Sequence, residues 1–152
     1  MNLTLHTDYS LRILLYLAEH TDRPVSTREI SDAYGVSRTH LVRVVQTLQS
    51  HGFVHASTGR TGGITLARDP AAINIGEVIK RTEPNFRIVE CFDPLENTCR
   101  IVPVCSLRGV LDDALQSFFR TLERYTLADI AHMKGSGRFS DFLPIASLRK
   151  TG

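Results

Sequence analysis

The stretch from Ser26 to Leu66, STREISDAYGVSRTHLVRVVQTLQSHGFVHASTGRTGGITL, decides the fold. Ser26 and Glu29 form the pattern of a capping box, in which Ser26 caps a helix and Glu29 reaches back to it. Gly35 suits the left-handed residue that ends such a helix. Ser37 is a second candidate N-cap, and apolar residues at helical spacing follow it. Two helices separated by a tight, glycine-containing turn indicate a helix-turn-helix.

The period of the pattern changes directly after the second helix. Phe53–Val54 and Ile64–Leu66 each predict a short strand, and the loop between them carries Gly59, Gly62 and Gly63. A glycine-rich hairpin in this position is typical of the wing of a winged helix-turn-helix. The sequence therefore predicts a mainly α fold with a small β wing.

Further helices are predicted on both sides of this stretch. Thr7 can cap a helix from about residue 8 to residue 20, and Asn74 can open a short helix after the wing. A long amphipathic helix is predicted from about 106 to 124, followed by a turn or two of helix capped by Thr126. Because little remaining chain can cover its apolar stripe, we expect it to be a dimerisation helix; the alternative is that it packs only within its own subunit. The stripe comprises Leu107, Val110, Leu111, Ala114, Leu115, Phe118 and Leu122.

The chain has 152 residues, enough for one compact domain. We divide it into a winged helix-turn-helix region (1–83), a cysteine loop (84–105), a dimerisation helix with a short C-terminal helix (106–134) and a tail that we expect to be flexible (135–152). No apolar run approaches the roughly 20 residues that span a bilayer, and the N-terminus lacks the pattern of a secretory signal. We therefore expect a cytoplasmic protein with no membrane partner.

The three cysteines of the chain, Cys91, Cys99 and Cys105, lie in one short stretch. An odd, clustered set argues against a disulfide framework and favours metal ligation or redox chemistry. Gaps of seven and five residues lack the two-residue spacing usual for zinc, and they leave room for three thiolates to converge on an iron–sulfur cluster. Three interpretations stay open here: a cluster that needs a further ligand, a zinc site, or unligated thiols.

The net charge is only +2, but basic residues, Arg68 among them, concentrate between residues 27 and 68. A DNA-binding face requires such a local excess, although a solvated helical surface can have the same composition. In a helix-turn-helix the first residues of the second helix reach the base edges, where Arg38 or Arg43 can bind guanine. Arg60, at the wing tip, can enter the minor groove. The candidate DNA-binding residues are Ser26, Thr27, Arg28, Ser37, Arg38, Thr39, His40, Arg43, Arg60 and Thr61.

Several motifs along nearly the whole chain carry a family resemblance. They are Thr7-Asp8-Tyr9, Tyr34-Gly35-Val36-Ser37, Gly59-Arg60-Thr61-Gly62-Gly63, Ile75-Gly76-Glu77-Val78, the three cysteines and Ser117-Phe118-Phe119. With them the chain resembles the BadM/Rrf-type family of winged-helix regulators, and within it the nitric-oxide-sensitive repressors. The resemblance implies a homodimer that binds double-stranded operator DNA and carries an iron–sulfur cluster, with 4Fe-4S favoured and 2Fe-2S possible. It also implies that nitric oxide attacks the cluster and releases the DNA.

The fourth cluster ligand separates the branches of this family. The cluster-assembly regulators place a histidine three residues after the last cysteine, where this chain has Arg108. Asp8 matches an aspartate that nitric-oxide-sensitive members supply as a metal ligand from the partner subunit; by itself it is a first-turn acid favoured by the helix dipole. The gap between Cys91 and Cys99 instead matches the iron-responsive, RirA-like regulators. An iron- or redox-responsive regulator of the same family is therefore the alternative.

Two alternatives come from other functional classes. A cluster-bearing redox enzyme or electron carrier would explain the cysteines, and so would a structural zinc-binding interaction module. Neither explains the order of helix, helix and glycine-rich hairpin. The sequence also offers no nucleophile–base pair and no nucleotide-binding loop, so we expect a regulator and not an enzyme.

Overall fold

The computed structural model describes residues 2–59 and 62–131. It is mainly helical with one two-stranded sheet, as predicted. The elements are α1 (Leu5–Glu19), α2 (Thr27–Tyr34), α3 (Arg38–Ser50), β1 (Val54–Ser57), β2 (Gly63–Leu66), α4 (Ile75–Thr82), α5 (Ser106–Leu122) and α6 (Leu127–Ala131). Among the residues described, no helix is both long enough and apolar enough to cross a membrane.

The helix-turn-helix forms where the local signals place it. The Ser26 hydroxyl accepts a hydrogen bond from the Glu29 amide at 3.0 Å, and Gly35 ends α2 in the left-handed region with φ of 64°. The reciprocal half of the predicted capping box is wrong. The Glu29 carboxylate instead lies 2.6 Å from the Arg23 guanidinium and accepts a hydrogen bond from the Tyr16 hydroxyl at 3.0 Å. An ion pair with a nearby cation competes successfully with the weaker bond to a backbone amide.

The wing is an antiparallel hairpin in which Val54 pairs with Leu66 and Ser57 with Gly63. Val25, in the segment before α2, adds a further rung by exchanging two backbone hydrogen bonds with Ile64, at 3.0 and 2.8 Å. This rung attaches the wing to the start of the helix-turn-helix. Its partners are distant in sequence, and the local pattern did not predict it.

The first helix begins earlier than predicted. Thr4, not Thr7, is the N-cap of α1, since the Thr4 side chain accepts a hydrogen bond from the Thr7 amide. Thr7 is fully buried, and its hydroxyl donates to the Glu83 carboxylate at 2.5 Å. Glu83 is the C-cap residue of α4, so a residue from far along the chain decides which threonine serves as the cap.

One apolar core joins the winged helix to the C-terminal helices. α1 lies at its centre and packs against α3, α4, α6 and β2. Asn74 caps α4 as predicted, and its amide group also donates to the carbonyl of Glu123 at 2.7 Å, which fixes the end of α5 against α4. The fully buried side chains include Ile13, Leu14, Val25, Ile30, Leu48, Phe53, Ile73, Val78 and Leu127.

Candidate nucleic-acid interface and cysteine loop

The outward face of α3 is polar, basic and unpartnered. Its core side is formed by Leu41, Val44, Val45 and Leu48, all buried. The opposite side carries Arg38, Thr39, His40, Val42, Arg43 and Gln46, all exposed, and we call these six residues the reading face. Within the described chain, no side chain of the reading face makes a hydrogen bond or ion pair. α3 contains no acidic residue, so this face is free to meet an anion.

The N-terminus of α3 differs from that of α2. Ser37 occupies the N-cap position, as predicted, but its hydroxyl makes no capping hydrogen bond. The first amides of a helix have no intrahelical acceptor. Here they lack the side-chain acceptor that Ser26 gives to α2, and they lie at the positive end of the helix dipole. A phosphate oxygen is a suitable acceptor in this position.

The other basic residues of the region differ in their exposure and in the contacts that they make within the fold. Arg28 is well exposed and only loosely paired, with 3.7 Å to the Asp32 carboxylate. Arg68, which the sequence analysis counted in the basic stretch, is held inside the fold. Its guanidinium donates to the carbonyl of Gly52 at 3.1 Å and to Glu77 at 3.3 Å, and it stacks on Phe53. Arg68 therefore supports the base of the wing.

Two candidate DNA-binding residues, Arg60 and Thr61, lie outside the described residues. Beside them, Gly62 is closely surrounded, since a Cβ added there would lie 2.5 Å from the backbone oxygen of Ser57. On α2, Ser26 and Arg28 are exposed and Thr27 is partly exposed, with the Ser26 hydroxyl already used as a cap.

The cysteine loop carries three free thiols. Cys91 lies in a short 3-10 turn, Glu90–Phe92, and Cys105 is the N-cap residue of α5. All three cysteines are half-buried and none forms a disulfide. The Glu90 carboxylate accepts hydrogen bonds from the amide and hydroxyl of Thr98 at 2.6 and 2.7 Å, and these bonds lower the pKa of Glu90. Because Glu90 precedes Cys91 and Thr98 precedes Cys99, this clamp holds the first two cysteines near each other.

A second set of contacts within the loop centres on a buried carboxylate. Asp93 is buried, forms an ion pair with Arg87 and accepts a hydrogen bond from the Leu95 amide at 3.0 Å. The third cysteine is connected through Arg108, whose Nε donates to the carbonyl of Cys91 at 3.4 Å. Arg108 lies on the first turn of α5, three residues after Cys105, so this bond brings the start of α5 to Cys91.

The three thiols are a donor set of the kind that holds an iron–sulfur cluster. Among residues 2–59 and 62–131, no three His, Cys, Asp or Glu side chains converge as they would around one ion. In a 4Fe-4S cluster each thiolate binds a different iron, so the thiols can lie further apart than around one ion. Three free thiols on one clamped loop meet that requirement.

Asp8 lies on the first turn of α1 and is not gathered with the cysteines of its own chain. Its carboxylate pairs with Arg12 at 2.7 Å, and its side chain is 38% exposed, so another molecule can reach it. Arg12 lies between Asp8 and α2, with its guanidinium 5.9 Å from the ring centre of Tyr34. The Tyr34 hydroxyl donates to the carbonyl of Arg12 at 3.2 Å, and burial raises the pKa of Tyr34 to about 12.

Comparison with known proteins identifies the family. The Rrf2 family model, described as iron-dependent transcriptional regulator, matches residues 3–133. The chain is 46% identical over 135 residues to the HTH-type transcriptional regulator NsrR of Bacillus subtilis, covering 88% of this chain and 92% of that protein. It is 48% identical over 131 residues to NsrR of Halalkalibacterium halodurans, covering 86% and 90%. This chain belongs to the Rrf2 family.

A solved Rrf2-type structure has the same fold. The structure of T. potens IscR superposes with a TM-score of 0.69 and 24% identity, covering 86% of this chain and 85% of that one. At this identity the likeness supports the fold alone. The predicted resemblance to the BadM/Rrf-type family is confirmed, and the relatives that define it are transcriptional regulators.

In this Rrf2-family chain the apolar stripe of α5 divides into two halves. Leu115 and Phe119 are buried, and Phe119 packs edge-on against Phe86 with 4.6 Å between ring centres. Leu107 and Val110 are 60% and 62% exposed. The alternative that α5 packs within its own subunit therefore describes the C-terminal half, and the N-terminal half remains uncovered in a single chain.

Sequence reasoning did not select Val42 and Gln46 as candidate DNA contacts. They lie three and seven residues after Thr39, which places all three on the same side of α3. Helical periodicity alone could have added them to the arginines and Thr39.

Proposed function

We propose that this Rrf2-family chain is a nitric-oxide-sensing transcriptional repressor whose iron–sulfur cluster controls its affinity for operator DNA. The observation that carries the proposal is the clamped loop with three free, half-buried thiols. It occurs in a chain 46% and 48% identical to two NsrR regulators. The cluster, 4Fe-4S in preference to 2Fe-2S, would supply iron that nitric oxide can bind.

The ligands that we assign are Cys91, Cys99 and Cys105 of one subunit and Asp8 of a second copy. The Glu90–Thr98 clamp and the bond from Arg108 to Cys91 support the three thiols as one set. The exposure of Asp8 supports its use by another chain. A carboxylate is a harder ligand than a thiolate, so it makes the fourth position the easiest to displace.

A chain of direct contacts connects Asp8 to the DNA-binding helices. Asp8 pairs with the guanidinium of Arg12, which also lies over the ring of Tyr34 at the end of α2. The backbone carbonyl of Arg12 accepts a hydrogen bond from the Tyr34 hydroxyl. Tying Asp8 to the loop of another subunit therefore constrains the position of α2 and α3 in the dimer. Release of Asp8 removes that constraint, and the two reading faces lose the spacing that the operator requires.

For DNA, we assign the major groove to α3 through Arg38, Thr39, His40 and Arg43. The uncapped N-terminus at Ser37 suits a phosphate. The other candidates are assigned to the DNA backbone and the minor groove: Ser26, Thr27 and Arg28 on α2, and Arg60 and Thr61 on the wing. A homodimer would present two reading faces to half-sites about one turn of DNA apart, or multiples of it.

The exposed half of α5 supports dimerisation. Leu107 and Val110 belong to a region, with Ile101 and Val104, in which large apolar side chains are 60% to 85% exposed. Several large apolar side chains this exposed within ten residues favour an interface. We therefore assign residues 84–105 to the cluster loop and 106–134 to the dimer element, with residues 1–83 as the DNA-binding region.

The first experiment is a non-denaturing mass spectrum of anaerobically purified protein, before and after stepwise nitric oxide. We expect a dimer with iron–sulfur mass that converts to iron-nitrosyl species at low stoichiometry. A dimer that holds only zinc, or no metal after anaerobic reconstitution, would refute the proposed signal and leave the DNA-binding assignment standing.

A second experiment tests the role of Asp8. In Asp8→Ala the cluster should remain, but the ratio of operator affinities before and after nitric oxide should fall towards one. A tenfold ratio corresponds to only ~1.4 kcal/mol, so loss of one ligand is enough to remove it. Asp22→Ala is the matched control, because Asp22 is an exposed acid just beyond α1. An unchanged ratio in Asp8→Ala would eliminate the tether.

One observation favours an iron- or redox-responsive regulator as a second candidate. The family description that matches residues 3–133 names an iron-dependent regulator. In this case iron depletion or an oxidant would release the operator, and sub-stoichiometric nitric oxide would not. Titrating the DNA complex with each reagent separates the two candidates.

A further inference from the structure

The reading face contains one apolar side chain, Val42, which is 45% exposed. The other large hydrophobic side chains that the described chain exposes all lie outside residues 26–66. Among the described residues between 26 and 66, Val42 is therefore the single exposed large hydrophobic group. Its neighbours on the face are polar or basic, so an adjoining apolar patch does not account for it.

The position of Val42 on α3 matches that of a residue that faces the DNA. Thr39, Val42, Arg43 and Gln46 have the spacing i, i+3, i+4 and i+7, which lines one side of a helix. The buried stripe around Leu41 and Val44 lies on the opposite side. When the start of α3 lies in the major groove, Val42 is one turn into the groove, beside Arg43.

The side chain of Val42 is suited to a specific apolar contact. A β-branched residue in a helix has one strongly preferred rotamer, so its methyl groups are held in place before any DNA binds. In the major groove the apolar group that a base presents is the 5-methyl group of thymine. The polar groups on the other bases would gain nothing from a valine and would lose contact with water.

We propose that Val42 reads a thymine in each operator half-site by packing against its 5-methyl group. This inference rests on the proposed function, since it requires that α3 enter the major groove of an operator. It adds a specificity-determining residue that acts by shape and apolar contact, beside arginines that act by charge and hydrogen bonds.

The test removes the methyl group from the DNA and the side chain from the protein. A preferred operator is first selected from random duplex DNA with the full-length, cluster-loaded dimer. Each thymine is then replaced by deoxyuridine, which keeps the base pair and removes only the methyl group. We expect the wild-type protein to lose affinity roughly fourfold per half-site at one position, the equivalent of one buried methyl group.

In Val42→Ala the same deoxyuridine substitution should have no effect, while substitutions at other positions behave as in the wild-type protein. Gln49→Ala is the matched control, because Gln49 is exposed near the C-terminal end of α3 and should keep the wild-type response. If Val42→Ala remains as sensitive to deoxyuridine as the wild-type protein, or if no thymine methyl matters, the inference is wrong. If no preferred operator is recovered, the proposed function itself fails.

Discussion

The bond between Thr7 and Glu83 allows a stability prediction with a defined magnitude. Thr7 is fully buried, and its hydroxyl donates to the Glu83 carboxylate at 2.5 Å. Thr7→Val keeps the shape of the side chain and replaces that donor with a methyl group. Because Glu83 is the C-cap residue of α4, the variant loosens the connection between α4 and the first turn of α1, which carries Asp8.

The expected loss follows from the kind of bond that is broken. A hydrogen bond to a charged group contributes about 1.5–3 kcal/mol. Glu83 keeps the amide and hydroxyl of Thr4 as donors, at 3.1 Å each, so the lower part of this range applies. Valine and threonine have similar helix propensities, so propensity contributes little to the change in the free energy of unfolding. We expect Thr7→Val to lower the free energy of unfolding by about 2 kcal/mol and Tm by about 4–8 °C for a chain of this size.

The assay is urea and thermal denaturation of both proteins at one fixed protein concentration, since dimerisation would make Tm depend on concentration. Thr47→Val is the matched control, because the Thr47 hydroxyl donates only to the carbonyl of Arg43 in its own helix. The control should change stability by less than about 0.5 kcal/mol. Equal effects of the two substitutions would mean that the Thr7–Glu83 bond does not anchor α1.

Three further predictions follow from other contacts. Arg28→Ala should make the plot of log affinity for operator against log salt less steep by about 1.8 per dimer, or 0.9 per lost phosphate contact, in an anisotropy titration; an unchanged slope would place Arg28 off the phosphates. The hydrogen bond from Arg23 lowers the pKa of Glu29, so this pair stabilises the fold above the ordinary pKa and ceases to do so as pH falls through the lowered one. The loss of Tm that Glu29→Gln causes at pH 7 should therefore shrink as the pH falls below the ordinary pKa of glutamate; a loss that does not change with pH would refute the pairing. Gly63→Ala would place a Cβ 2.8 Å from the Cβ of Pro24, so urea denaturation should show a loss of roughly 1–3 kcal/mol, and full stability would mean that the wing is not attached there.

The helix-turn-helix could be predicted because its signals are local. Ser26 caps α2 and Gly35 ends it in the left-handed region, and each does so with partners a few residues away. The start of α1 could not be predicted in the same way. Thr4 and Thr7 are both acceptable caps in sequence, and Glu83 decides between them from 79 and 76 residues away.

The cysteine loop also contains one feature that the sequence predicts and others that depend on the folded structure. The spacing of the cysteines predicted that they act together, since it depends only on sequence distance. The acids that fix the loop, Glu90 and Asp93, look in sequence like ordinary solvated residues. Their roles depend on partners that face them only after the loop has closed: Thr98 for Glu90, and Arg87 for Asp93. Sequence periodicity carries no information about a loop of this kind.

The division of α5 connects the proposed dimer with the proposed cluster on physical grounds. The buried half, with Leu115 and Phe119, fixes the helix to its own core, and the exposed half, with Leu107 and Val110, begins directly after Cys105. A second copy that covers Leu107 would therefore also come close to the cysteine loop. In the proposed dimer, the apolar contact and the ligand from the partner subunit would then belong to one surface. A change at the proposed cluster would alter the dimer geometry without any longer path through the fold.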